Sequence, residues 1–72
     1  MKEKLKNMGT WWGRNEDLIE DLEEMGLEVL EHNDEYIVVA YEEDEKDVQL
    51  QITLDGTPRT IVIGSVEEIY RG

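Results

Sequence analysis

Carboxylates are the side chains of this chain whose type and spacing could do chemistry; 19 of its 72 residues are Asp or Glu. Glu16 and Glu20, Asp17 and Asp21, and Glu20 and Glu24 stand four apart, with Glu23 between them in sequence. Glu42, Glu43, Asp44, Glu45 and Asp47 follow Tyr41 in the run "YEEDEKD". Paired carboxylates can serve acid–base catalysis, but only when their surroundings push two pKa values apart, and in such a crowd pairing singles out no couple. They can hold calcium, but the D-x-[DN]-x-[DN]-G loop is absent and no glycine supports a tight ligand loop. The remaining chemistry is charge itself, a row of anions offered to a cationic partner.

The other reactive types add little. His32, the one histidine, ends an alternating segment beside a turn signal and reads as structural or exposed. There is no cysteine, hence no thiolate nucleophile, no thiolate metal site and no disulfide. Ser65 has no histidine partner for a triad, and no glycine-rich phosphate loop follows a strand pattern. The expectation is a protein that is not an enzyme and takes no metal or cofactor.

The acid is regional. Between Glu16 and Asp47 there are fifteen Asp and Glu against one lysine, Lys46, whereas the rest of the chain holds four acids and six bases. Such a field repels nucleic acid and anionic membranes and attracts basic surfaces. No run approaches the roughly 20 apolar residues of a membrane span. The opening "MKEKLKNMGT" is basic but lacks a signal peptide's apolar stretch. These features predict a soluble, cytoplasmic protein.

The elements that must position the acids come next. Residues 1–14 read as a basic arm or short helix with an aromatic end, "GTWWGR", and 15–72 as one α+β domain. Asn15 suits a helix N-cap, Glu16 and Asp17 suit a first turn, and Leu18, Ile19, Leu22 and Met25 form one apolar stripe. With Gly26 just past the end, the pattern predicts a helix over 16–25. Like charges at i, i+4 cost it roughly 0.2–0.5 kcal/mol per pair. "LEVLEH" alternates briefly, "HNDE" signals a turn with Asn33 and Asp34 able to go left-handed, and "EYIVVAY" is a strand apolar on both faces. "DVQLQITL" alternates cleanly, and Asp55-Gly56 is a hairpin signal that sets Leu54 opposite Thr57, Leu50 opposite Ile61 and Val48 opposite Ile63. Pro58 lacks an N–H, which makes strand 58–63 an edge or puts Pro58 on its unpaired side. Ser65 with Glu68 forms a capping-box pattern, predicting a helical turn over 65–70. The expected fold is a helix packed on a three- to four-stranded antiparallel sheet with a short C-terminal helical turn.

One face of strand 35–41 can pack on the helix, and the other needs a cover. The Trp11/Trp12 arm or a second copy of the chain could supply it; Trp11, Trp12 and Tyr41 are the candidate interface residues of a homodimer.

"NEDLIEDLEEMG", "AYEEDEKDVQL" and "TIVI", within residues 15–63, resemble the small acidic DNA-mimic inhibitors of bacteriophages, the uracil-DNA glycosylase inhibitor family being the nearest. That family's acidic edge strand with its E-S-I motif has no counterpart, because residues 1–14 are basic. The resemblance therefore implies the class and no particular target. The expected function is a DNA mimic in which Glu16, Asp17, Glu20, Asp21, Glu23, Glu24, Glu42, Glu43, Asp44, Glu45 and Asp47 stand in for phosphates. The expected partner is a basic DNA-binding protein, first of all a bacterial histone-like one. The rival expectation is a general interaction or structural module that associates through its apolar sheet face and Trp11/Trp12.

Overall fold

The computed structural model describes residues 2–8, 10–12, 15–57 and 60–72, with side chains described at 3–8, 15–55 and 61–72. The elements in chain order are α1 (Lys2–Lys6), β1 (Thr10–Trp12), α2 (Asn15–Glu24), β2 (Glu28–His32), β3 (Tyr36–Glu43), β4 (Lys46–Thr57) and β5 (Thr60–Arg71). The strands form one antiparallel sheet in the order β1-β5-β4-β3-β2. Four strands make a meander, and the three-residue β1 joins the far side of β5 at residues 60–62.

Helix α2 ends as its sequence dictates. Gly26 takes φ 90°, and its N–H and that of Leu27 donate to the carbonyls of Glu23 and Leu22 at 3.0 and 3.2 Å. This is the paired-bond cap that a left-handed residue allows, with Leu22 and Leu27 both buried in the core. At the other end, the Asn15 side-chain amide donates to the Asn33 carbonyl at 3.0 Å. It therefore ties the helix start to the β2–β3 turn. That turn is not left-handed at Asn33 or Asp34. The Asn33 side-chain oxygen instead accepts from the Glu35 and Tyr36 N–H groups at 2.7 and 2.9 Å, an Asx turn that closes the hairpin through a side chain.

Directly paired residues of an antiparallel ladder share a face. One face carries Ile37 and Val39 of β3, Val48, Leu50, Ile52 and Leu54 of β4, and Ile61 and Val66 of β5. Leu5 of α1, Leu18 and Leu22 of α2 and Leu27 complete that core. Both helices therefore lie on this one face, α1 against β5 and α2 against β2. Residues 2–8, expected to belong to an arm, contribute a core residue.

Three expectations are corrected. The β4–β5 ladder does not close at Asp55-Gly56: Asp55 pairs with Val62, Gly56 with Ile61 and Thr57 with Thr60, and Leu54 faces Ile63. The expectation for Pro58 falls outside the described residues. Strand β5 is no edge at 60–62, where β1 and β4 flank it. The C-terminal helical turn is absent, and Ser65 to Arg71 continue β5. The longer ladder pairs β4 as far back as Val48, and it places Val66, 2% exposed, opposite Ile52 in the core. Burial in that ladder outweighs the capping-box signal.

Candidate protein-binding surface

The charge segregation along the chain becomes a lateral one in space. Because β2, β3, β4 and β5 neighbour one another in chain order, the segment from Glu16 to Asp47 builds one flank: α2, β2, β3 and the β3–β4 turn. The opposite flank carries α1, whose Lys4 and Lys6 are exposed.

Glu16, Asp17, Glu20, Glu23 and Glu24 are exposed on α2, and Asp21 is half-buried. The apolar stripe fixes this arrangement, since turning Leu18 and Leu22 to the sheet turns the carboxylates away from it. Glu16, Glu20, Asp21, Glu23 and Glu24 make no side-chain hydrogen bond or ion pair among the described residues. The helix start sits by the Asn33 turn, where Asp34 and Glu35 add charge. Its end leads through Leu27 to Glu28, which pairs with Ala40, three residues short of Glu43. The α2 carboxylates thus run from one turn of the sheet to the other.

The run 42–47 is a hairpin tip. Glu42 pairs with Asp47 and Glu43 with Lys46, and only Asp44 and Glu45 lie between the strands. These two have φ 51° and 66°, the left-handed pair that a two-residue hairpin normally fills with Asn-Gly. Glu42 opposite Asp47 is a like-charge cross-strand pair, itself destabilising. Replacing Asp44-Glu45 by Asn-Gly should stabilise the fold by about 1 kcal/mol, from the relief of left-handed strain, seen as a higher midpoint in denaturant titration. The carboxylates at this tip are held against local preference.

Glu43 differs from its neighbours. Arg71 lies 3.5 Å from it and 2.6 Å from Glu68, and the Tyr41 hydroxyl donates to Glu43 at 3.3 Å. Glu68 raises the Arg71 pKa further above its ordinary range by accepting its hydrogen bond. Burial, then the Glu43 charge, pushes the Tyr41 phenol up. Tyr41 packs against the core edge. The side chains of Trp11 and Trp12, the other candidate interface residues, lie outside the described residues.

Sequence reasoning missed a second set of acids. The bulge at Leu30 lets both Glu28 and Glu31 share the face of Ala40 and Val38, the face turned away from the helices. Strict alternation would have separated two residues three apart, so no sequence signal marked them. Tyr36, on the same face, donates its hydroxyl to Glu31 at 3.0 Å. That bond, with the Glu31 charge, raises the Tyr36 pKa above 10.0. The fold thus favours the neutral phenol. The contribution is fully present below pH 10 and is lost as pH rises through the raised value. Tyrosinate absorbance titration of Glu31→Ala should show one phenol ionising at lower pH than in the parent.

Among the described residues no three His, Asp or Glu side chains converge to hold a metal, and no helix is long and apolar enough to cross a membrane. The architecture is that of an α+β protein with two helices on one face of an antiparallel sheet. Compared with protein-family models, curated proteins and solved structures, the chain matches none.

Proposed function

We propose that this protein is a non-enzymatic DNA mimic that binds and blocks the DNA-binding surface of a basic nucleic-acid-binding protein. A bacterial histone-like protein is the first partner to test. The observation that carries the reading is the α2 row, where Glu16, Glu20, Asp21, Glu23 and Glu24 have no counter-ion among the described residues. Carboxylates at i, i+4 lie roughly 5–6 Å apart, and duplex DNA presents one phosphate per ~3.4 Å of axis on a strand that also winds around it. The molecule is 37 Å long, close to the ~34–36 Å of one duplex turn.

Two local costs support the reading. The helix tolerates like-charge i, i+4 pairs, and the hairpin tip tolerates left-handed Asp44 and Glu45 beside the Glu42–Asp47 pair. Each is cheaply removed by neutral residues, so their presence points to a use for the charge. The test is competition. A labelled histone-like protein, saturated with a short duplex, should release that duplex as this protein is added. Simultaneous binding of both, with no displacement, would contradict the proposal.

A further inference from the structure

Register sorts the open face of the sheet in a way that composition does not show. Neither helix covers this face, and its middle holds Val38, Ala40, Gln49, Gln51 and Thr53, all buried or half-buried. Val38 is only 8% exposed, yet it stands apart from the core cluster on the helix side. Around that centre, pairing places Glu28 and Glu31 on β2, Glu42 and Asp47 at the tip end, and Glu67 on β5. Lys46 and Arg71 pair with Glu43 and Val48 and so belong to the helix-side face. No described lysine or arginine shares the open face. An amide-and-alkyl floor with acids on three sides, and Tyr36, Ser65 and Tyr70 between them, has the small middle and polar rim of an interface.

We propose that this open face docks an amphipathic α-helix of the basic partner, one with a narrow apolar stripe flanked on both sides by Lys and Arg. The inference rests on the mimic reading and adds to the α2 row a second contact with the same partner, on the opposite face of the sheet. Strands β2 and β5 are three strand spacings apart, about 14 Å, and a helix with its side chains is about 10–12 Å across. A helix laid over β3 and β4 puts its stripe on Val38 and Ala40. One basic flank then meets Glu28 and Glu31, and the other meets Glu67. Small and amide side chains in the middle let the helix come close. A second copy of this chain is a poor occupant, since two such faces would bring their acid rims together.

The probe is a synthetic helix of about 18 residues (~27 Å) with an Ala/Leu stripe and Lys/Arg flanks. Its controls are a scrambled peptide of the same composition and oligolysine. Binding is followed by fluorescence anisotropy and by amide shifts of the labelled protein. The patterned helix should bind at least tenfold tighter than either control, shifting Val38, Ala40, Gln49 and Gln51. Gln51→Arg should weaken it at least tenfold with an unchanged circular dichroism spectrum. If Gln51→Arg does not fold, the triple variant Glu28→Gln, Glu31→Gln, Glu67→Gln should give the same loss. Equal affinity for the controls, no binding of the patterned helix, or a face buried by self-association that Gln51→Arg dissolves would each overturn the inference. Shifts confined to α2 would overturn it and leave the mimic reading standing. Failure of the duplex competition removes the mimic reading whatever the peptide does.

Discussion

Reversing Glu16, Glu20, Glu23 and Glu24 to lysine should lower affinity for the histone-like partner more than a thousandfold while the fold survives. At 4 Å two unit charges interact by about 1 kcal/mol even at the dielectric of water, and by more where a partner excludes solvent. Each reversal turns an attraction into a repulsion, so four together exceed the ~4.1 kcal/mol that a thousandfold change in Kd requires. The fold should tolerate them, because all four side chains are exposed and make no ion pair among the described residues. The i, i+4 pairs at 16/20 and 20/24 change the sign of their charges but stay repulsive, so their number is unchanged. Only Glu16, in the first turn, gives up a dipole interaction of about 0.3–1 kcal/mol. Isothermal titration with the partner, beside circular dichroism of the variant, checks both halves. Unchanged affinity would remove α2 from the binding surface.

The second large effect is on stability. Val66→Asp should leave the chain mostly unfolded at room temperature. Val66 is 2% exposed and faces Ile52 within the core. A carboxylate there has no partner, and an unpaired buried charge costs several kcal/mol. A domain of this length holds roughly 4–11 kcal/mol in all. Glu67→Lys, one residue along on the open face and exposed, should change stability by less than about 0.5 kcal/mol. Equal tolerance of both substitutions in chemical denaturation would contradict the extended β5, and would restore the helical turn expected from Ser65 and Glu68.

That contrast shows where the sequence was legible. Helix α2, its cap at Gly26 and the cleanly alternating β4 follow from local pattern, because propensity, capping and burial agree there. Strand β5 was misread for a definable reason. Its ladder to β4 carries two bulges, with Gly64 and Ile69 as the extra residues. Each resets the two-residue period, so Val66, Ile69 and Tyr70 fall at helical spacing in a strand. Asp55-Gly56 is a strong turn signal, but closing there would strand Val66 outside the core.

The candidate surface was legible in part. The carboxylates of α2 were found because a helix with no lysine or arginine is plain in the sequence. The acids of the hairpin tip were found as composition, but the roles within it were not. Arg71, 28 residues away in the chain, takes Glu43, and only the β3–β4–β5 pairing brings them together. Glu28, Glu31 and Glu67 were invisible as a group because bulges decide which face they occupy.

The most direct test of the charge mimicry is the salt dependence of binding between this protein and the histone-like partner. If carboxylates replace phosphates against the partner's lysines and arginines, log Kd should rise with log salt with a slope of at least about three, each contact contributing up to ~0.9 as in duplex DNA. The α2 reversal should flatten that slope. A slope near zero, with affinity intact at high salt, would mean that apolar contact holds the complex and that the acids do not act as phosphates.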